Sequence, residues 1–218
     1  MNWPSSEGAE MMRCITTLLA SALLGGCATD TATDTPFDPL ANYEEVDATT
    51  VLDVPGAQPG TYAPENLYMV QRGEYLVELL GCGACHTDGA LQGVPDFDKS
   101  LAGSSIGIAY NNPMGMDKPG VVYPPNITPD QETGIGAWSD VQINRAIRAG
   151  LGRHAGRRIA VMPWQGYAKL KDEDIDAIVS YLRSIKPVRH KVPDEVLPGQ
   201  TAEYPFVYFG VYRSRNLD

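Results

Sequence analysis

Apolar residues recur at helical spacing in three segments of this chain, and each segment predicts a helix. The first helix is predicted over residues 65–80 and ends at Gly81, directly before a pair of cysteines. The third is the clearest, because acidic residues begin it, Arg183 and Lys186 lie in its last turns, and Pro187 stops it. The apolar positions of these two helices are Leu67, Val70, Leu76, Leu79 and Leu80, and Ile175, Ile178, Val179, Leu182 and Ile185.

The second helix is predicted to begin at Ser139. Gln142 follows three positions later, which is the spacing of a capping box, and Gly150 can end the helix in the left-handed conformation. Asp172 is the expected N-cap of the third helix. The long segment before Ser139 is rich in Gly, Pro and Asn, so we expect an all-α domain of short helices and long loops. The apolar positions of the second helix are Val141, Ile143, Ala146 and Ile147.

The N-terminal residues have the layout of a secretory signal. Residues 11–27 (MMRCITTLLASALLGGC) place one arginine before an apolar run that is too short to span a bilayer. Their ending, Leu-Gly-Gly-Cys, resembles a bacterial lipobox. We therefore expect residues 1–26 to be a lipoprotein signal peptide, and Cys27 to carry lipid that anchors the protein to the periplasmic side of a bacterial membrane. A signal cleaved elsewhere or a short hydrophobic anchor is the alternative.

Residues 27–64 are predicted to form an acidic, disordered tether. From Asp30 to Glu65 there are eight carboxylates and no lysine or arginine, and large apolar residues are scarce. This stretch carries most of the formal net charge of −10, since residues 66–218 hold 16 basic and 17 acidic residues. An acidic chain has no electrostatic footprint for nucleic acid, so that class of partner is excluded.

Cys82 and Cys85 are separated by two residues, and His86 follows directly. Such a pair serves as half of a zinc site, as a dithiol–disulfide switch, or as the attachment point of a c-type haem. A structural zinc site needs four protein ligands, and no second cysteine cluster follows. A thioredoxin-like switch places its cysteines at the start of a helix, whereas these follow a predicted helix end. Two thioethers and an adjoining axial histidine fit a haem, so we predict one covalently bound haem c.

A second axial ligand is expected if the haem iron transfers electrons. Met162 is preferred, because Pro163 fixes its local backbone and aromatic residues that can wall a haem follow it. Tyr123, Trp138 and Trp164 are the expected pocket residues, and plain packing is the alternative for the first two. The other candidate ligands are Met69, Met114, Met116, His154 and His190.

Four segments, in this order, resemble the class I cytochrome c domains of the cytochrome c subunits that serve bacterial membrane dehydrogenases. They are RGEYLVELLGCGACHT (72–87), LAGS (101–104), PPNITPDQETGIGAWSD (124–140) and VMPWQGYAKLKDEDIDAIVSYLRSIKPV (161–188). The resemblance implies a class I cytochrome c fold with a monohaem domain over residues 65–190, in which Met162 is the distal iron ligand. Such relatives often carry two or three haem motifs, whereas this chain has one. The C-terminal extension, residues 191–218, is not covered, and we expect either a flap on its own domain or a contact to a partner subunit.

The resemblance implies electron transfer rather than catalysis. The expected protein is a membrane-tethered monohaem carrier of single electrons. Its donor would be a dehydrogenase or a quinol-oxidising complex, and its acceptor an oxidase or another cytochrome. One alternative is a haem enzyme of peroxidase type, in which the sixth iron position opens. The other is a fixed haem subunit of a larger redox complex, docked through the aromatic extension.

Overall fold

A computed structural model describes residues 41–48, 56–61, 63–115, 117–152, 158, 161–211 and 213. The predicted signal peptide, Cys27, Met116 and His154 lie outside these residues. The described residues belong to one unit, which runs from Asp38 to Asp218. Its elements in chain order are a 3₁₀ helix (Pro64–Asn66), α1 (Leu67–Leu79), α2 (Cys82–His86), 3₁₀ turns (Ala90–Gln92 and Phe97–Lys99), β1 (Gly107–Ala109), β2 (Val121–Val122), α3 (Asp140–Ala149), α4 (Trp164–Tyr167), α5 (Asp172–Ser184) and β3 (Phe206–Val207).

Helices α1 and α5 pack against each other at a glycine. A Cβ atom on Gly73 would lie 2.0 Å from the backbone oxygen of Ala177, so the two helices approach more closely than any side chain would allow. An ion pair between Arg72 and Asp174 crosses the same interface, with Nε 3.1 Å from the carboxylate. The hydrophobic core forms around this crossing, and its members on the two helices include Val70, Leu76, Val77, Ile175, Ile178, Val179, Tyr181 and Leu182.

The buried face of α5 is as the sequence predicts, whereas that of α1 is partly wrong. All five predicted apolar positions of α5 are buried. In α1, Leu67 is 43% exposed and Leu79 is 63% exposed. The stripe that α1 buries includes Val70, Gly73 and Val77. The closest contact of α1 with α5 is made at Gly73, so the positions of Leu67 and Leu79 did not indicate which face of α1 meets α5.

The predicted ends of α3 are confirmed. The Ser139 hydroxyl accepts from the Gln142 N–H at 3.3 Å, and the Gln142 carboxamide oxygen accepts from the Ser139 N–H at 2.8 Å, which is a complete capping box. Gly150 ends the helix with φ of 62°. Ile143 is buried, but Val141 is 60% exposed and does not belong to the buried face.

The predicted cap of α5 is wrong by one residue. Lys171 is the N-cap and Asp172 is the first helical residue. The Asp172 carboxylate lies 2.6 Å from Nη1 of Arg148, so it pairs with a guanidinium on α3 rather than with the first N–H groups of its own helix.

A small three-stranded sheet accompanies the helices, in the order β2-β1-β3. Strand β1 pairs antiparallel with β2 and parallel with β3. The sequence predicted an all-α domain, and the domain is mostly helical, but strands of two and three residues are too short to show a periodicity. Strand β3 and Val196, which bridges Val121, belong to the C-terminal extension. These parts of the extension therefore pack on its own domain, whereas Phe209 and Val211 are exposed.

Two described pieces of the predicted tether contact the domain. The N–H of Gly60 donates to the oxygen of Ser184 at 2.8 Å, at the end of α5. The hydroxyl of Tyr43 donates to the oxygen of Asp117 at 2.6 Å. Disorder through residue 64 is therefore wrong at Gly60, because composition does not reveal backbone groups that another segment can pair with. No helix among the described residues has the length and apolarity that crossing a membrane requires.

Candidate functional site

A cavity of about 420 Å³ lies in the unit, within the usual range of cofactor sites. Cys82, Cys85, His86 and Met162 all line it, although the methionine lies far along the chain from the other three. The remaining wall is largely apolar and includes Ile127, Ile135, Ile143, Ile147, Val161 and Leu182.

The two cysteines lie on α2, which is separated from α1 by Leu80 and the left-handed Gly81. Gly81 has φ of 67°, a conformation that glycine adopts without strain, and it turns the chain between the two helices. Cys82 and Cys85 do not form a disulfide. Burial raises the pKa of Cys82 to about 11 and also raises the pKa of Cys85. A redox dithiol needs a lowered thiol pKa, so the site lacks the activation that a thioredoxin-like switch uses.

His86 is held as a neutral imidazole. Its Nδ1 lies 2.8 Å from the backbone oxygen of Pro125, to which the Nδ1 proton is donated, so Nε2 carries the free lone pair. Burial lowers the pKa of His86. This is the form that binds a metal ion through Nε2. Within the described part of the chain, no three His, Cys, Asp or Glu side chains are grouped to hold a metal ion, which leaves the zinc alternative without a ligand set there.

Met162 lies at the start of a short loop and helix that fix its position. The N–H of Trp164 donates to the Met162 oxygen at 2.8 Å. In the same segment, the hydroxyl of Tyr167 donates to the oxygen of Leu80 at 3.2 Å, next to the residues that carry the cysteines. The methionine-bearing segment is thereby bonded to the C-terminal end of α1.

The other described candidate ligands lie elsewhere. Met69 packs against the hydrophobic core, and Met114 lies in the loop between β1 and β2. The Nδ1 of His190 lies 2.9 Å from the oxygen of Ala102. None of these three side chains lines the cavity.

Two of the three predicted aromatic pocket residues line the cavity. Trp138 lies in a turn whose carbonyl oxygens accept from the guanidinium of Arg183 on α5, and Tyr123 is buried in the wall. Trp164 is not among the lining residues. Its ring packs against Gly150, and the guanidinium carbon of Arg158 lies 5.4 Å from the ring centroid.

Comparison with known proteins bears on the same residues. The family model described as cytochrome c matches residues 70–186, which is more than half of the chain. This chain belongs to the cytochrome c family. The resemblance drawn from the four sequence segments is thereby confirmed.

This cytochrome c is similar to several cytochrome subunits of bacterial dehydrogenases. It is 34% identical over 157 residues to the fructose dehydrogenase cytochrome subunit of Gluconobacter japonicus, a match that covers 69% of this chain and 29% of the relative. It is 36% identical over 129 residues to the cytochrome c subunit of the quinone alcohol dehydrogenase of Gluconobacter oxydans, covering 58% and 24%. It is 34% identical over 131 residues to the gluconate 2-dehydrogenase cytochrome c subunit of Pantoea cypripedii, covering 60% and 26%.

The chain spans less than a third of the length of these relatives. The names of all three relatives describe cytochrome subunits of dehydrogenases.

The residues present fit a haem c. Two neutral thiols on one helical turn, a neutral imidazole and a thioether line one apolar cavity, and these groups are able to attach a haem c and to bind its iron.

One wall of the cavity was missed from the sequence. Residues 191–195 line it, although they fall in the extension that the resemblance does not cover. The sequence offered one indication. Residues 191–195 follow soon after α5, and that helix also contributes side chains to the cavity.

Proposed function

We propose that this protein is a membrane-tethered monohaem cytochrome c. It would carry single electrons from a periplasm-facing dehydrogenase or quinol-oxidising complex to an oxidase or another cytochrome. The proposal is supported by one observation above all: Cys82, Cys85, His86 and Met162 line the same cavity. Lipid on Cys27 would hold the protein at the periplasmic side of the membrane.

Each of the four side chains has a distinct task in this proposal. A haem held in the cavity would supply an iron centre that takes up and releases one electron. The thiols of Cys82 and Cys85 would tether the porphyrin, and the Nε2 of His86 would bind the iron. The thioether of Met162 would be the second iron ligand from the protein, which would favour the reduced iron and exclude exogenous ligands. The apolar walls exclude water and so limit the rearrangement that accompanies each change of charge.

A fixed subunit of a larger redox complex is the second candidate. It is supported by the names of the three relatives described above, each of which is a subunit of a dehydrogenase. The peroxidase alternative requires an open sixth position, and the location of Met162 in the cavity wall counts against it.

The test uses the full chain, expressed in a bacterium that attaches c-type haem. Wild-type protein should keep its haem in a denaturing gel, and its mass should exceed that of the bare chain by one haem. Cys82→Ala or Cys85→Ala should sharply lower the yield of haem-containing protein. Haem that is extracted from wild type by acidified acetone would refute covalent attachment.

The same preparation tests the distal ligand. Met162→Ala should retain haem but lose the far-red ferric absorption band that accompanies methionine ligation, and it should bind added imidazole. Met114→Ala is the matched control, since Met114 lies outside the cavity wall, and its spectrum should equal that of wild type. A methionine-type spectrum that survives Met162→Ala would show that the assignment is wrong.

A further inference from the structure

The loop that contains Pro125 holds the carbonyl against which His86 is oriented. Pro125 cannot fix this carbonyl through its own nitrogen, because proline has no N–H. The position of the Pro125 oxygen therefore depends on the groups that bind the residues next to it. Asn126 directly follows Pro125, and it is held by the hydrogen bonds of its own side chain.

Asn126 is almost fully buried, with 1% of its surface exposed, and its carboxamide is fully bonded. Its Nδ2 donates to the backbone oxygen of Val188 at 2.7 Å and to the hydroxyl oxygen of Thr133 at 3.0 Å. Its Oδ1 accepts from the N–H of Thr128 at 2.9 Å and from the Thr128 hydroxyl at 2.8 Å. Because both N–H donors and the oxygen of this buried carboxamide are bonded, the side chain can be satisfied in only one orientation. The backbone of Asn126, which carries this side chain, is therefore fixed as well.

Backbone hydrogen bonds also join this loop to residues 101–104. The N–H of Ser104 donates to the oxygen of Pro124 at 3.0 Å, and the N–H of Ile127 donates to the oxygen of Leu101 at 3.0 Å. These two bonds leave the Pro125 oxygen free for His86. They hold the loop at its edges, whereas Asn126 holds it to the segment after α5, which lies 62 positions later.

We propose that Asn126 is a positioning residue for His86 and acts through the Pro125 carbonyl. The bonds of Asn126 keep that carbonyl within hydrogen-bonding distance of Nδ1. The Nδ1–H to carbonyl bond makes the imidazole more electron-rich and fixes its tautomer and ring orientation. In the haem-loaded protein, a more electron-rich imidazole stabilises the oxidised iron and lowers the reduction potential. The consequence for the iron rests on the function proposed above.

The test compares Asn126→Ala with Asn111→Ala in the full haem-loaded chain. Asn111 is the matched control, because its side-chain oxygen accepts from the N–H of Gly120 at 3.1 Å in another loop and has no bond to the Pro125 segment. The measurements are the reduction potential, the exchange rate of the His86 Nδ1 proton by NMR with labelled histidine, and the melting temperature.

We expect Asn126→Ala to keep its haem, to raise the reduction potential, and to speed exchange of the Nδ1 proton about tenfold, as expected when one ordinary hydrogen bond is lost. Asn111→Ala should lower the melting temperature without moving the potential or the exchange rate. If Asn126→Ala changes the melting temperature and leaves the other two measurements at their wild-type values, Asn126 is a structural residue and the inference is wrong.

A milder pair of variants decides the question if Asn126→Ala does not accumulate. Thr128→Val removes the hydroxyl that donates to Asn126, so it should raise the reduction potential and speed exchange of the Nδ1 proton, as Asn126→Ala does. Thr128→Ser keeps the hydroxyl and should have the wild-type potential and exchange rate. Equal behaviour of the two variants would overturn the inference. If wild type carries no haem, the proposed function fails. The Nδ1 exchange rate and tautomer of His86 in that haem-free protein then decide the role of Asn126 on their own.

Discussion

Replacement of Gly73 by alanine tests the helix crossing on which the domain depends. The added Cβ would lie 2.0 Å from the Ala177 oxygen and 2.6 Å from the Cβ of Tyr181. An unstrained carbon–oxygen contact is about 3.3–3.6 Å, so α1 and α5 would have to separate by roughly 1.3–1.6 Å. Both contacts involve the backbone or its first side-chain atom, so no rotamer change relieves them.

Overpacking of this kind costs about 1–3 kcal/mol, and the rigid partners place Gly73→Ala near 3 kcal/mol. For a protein of this size, that corresponds to a fall in melting temperature of about 6–12 °C, measured by circular dichroism. Gly166→Ala is the matched control: a Cβ there meets no atom within 4 Å, so its melting temperature should be unchanged or slightly higher. If the two variants melt at the same temperature, the close approach of α1 and α5 is refuted.

Two further predictions concern the anchor and the methionine segment. Cys27→Ser should release the protein from the membrane fraction without altering its absorption spectrum, and protein that stays membrane-bound would exclude lipid on Cys27 as its anchor. Tyr167→Phe removes the bond to the Leu80 oxygen, so added imidazole should bind about fivefold to tenfold more tightly while the haem stays attached. Tyr68→Phe, at a side chain that is 69% exposed, is the control, and equal imidazole affinities in the two variants would contradict this role of Tyr167.

Features decided by neighbouring residues were predictable from the sequence. The capping box of Ser139 and Gln142 involves residues three positions apart, and the left-handed Gly150 ends the same helix. The two cysteines and His86 occupy five consecutive positions, so their shared chemistry was also visible before any fold was known.

Features decided by distant residues were not predictable. The exposure of Leu79 depends on the meeting of Gly73 with α5, about a hundred positions away. At the start of α5, Asp172 pairs with Arg148, which lies 24 positions earlier on α3. Asn126 gave no signal, because its bond to Val188 spans 62 positions. A sequence pattern reports which residues prefer burial, but it does not report which segments pair.

Helix α2 is formed by consecutive residues, whereas α1 packs against residues about a hundred positions later in the chain, and this difference affects the order of folding. Helix α2 needs five consecutive residues, whereas the bond between Arg72 and Asp174 closes a loop of 102 positions. Closing a loop of that length costs chain entropy before any contact is gained, so short-range structure forms earlier. Because both thiols lie on α2, they can come together before α5, Met162 and residues 191–195 close around them. A haem bonded at that stage would act as a nucleus around which the rest of the domain condenses.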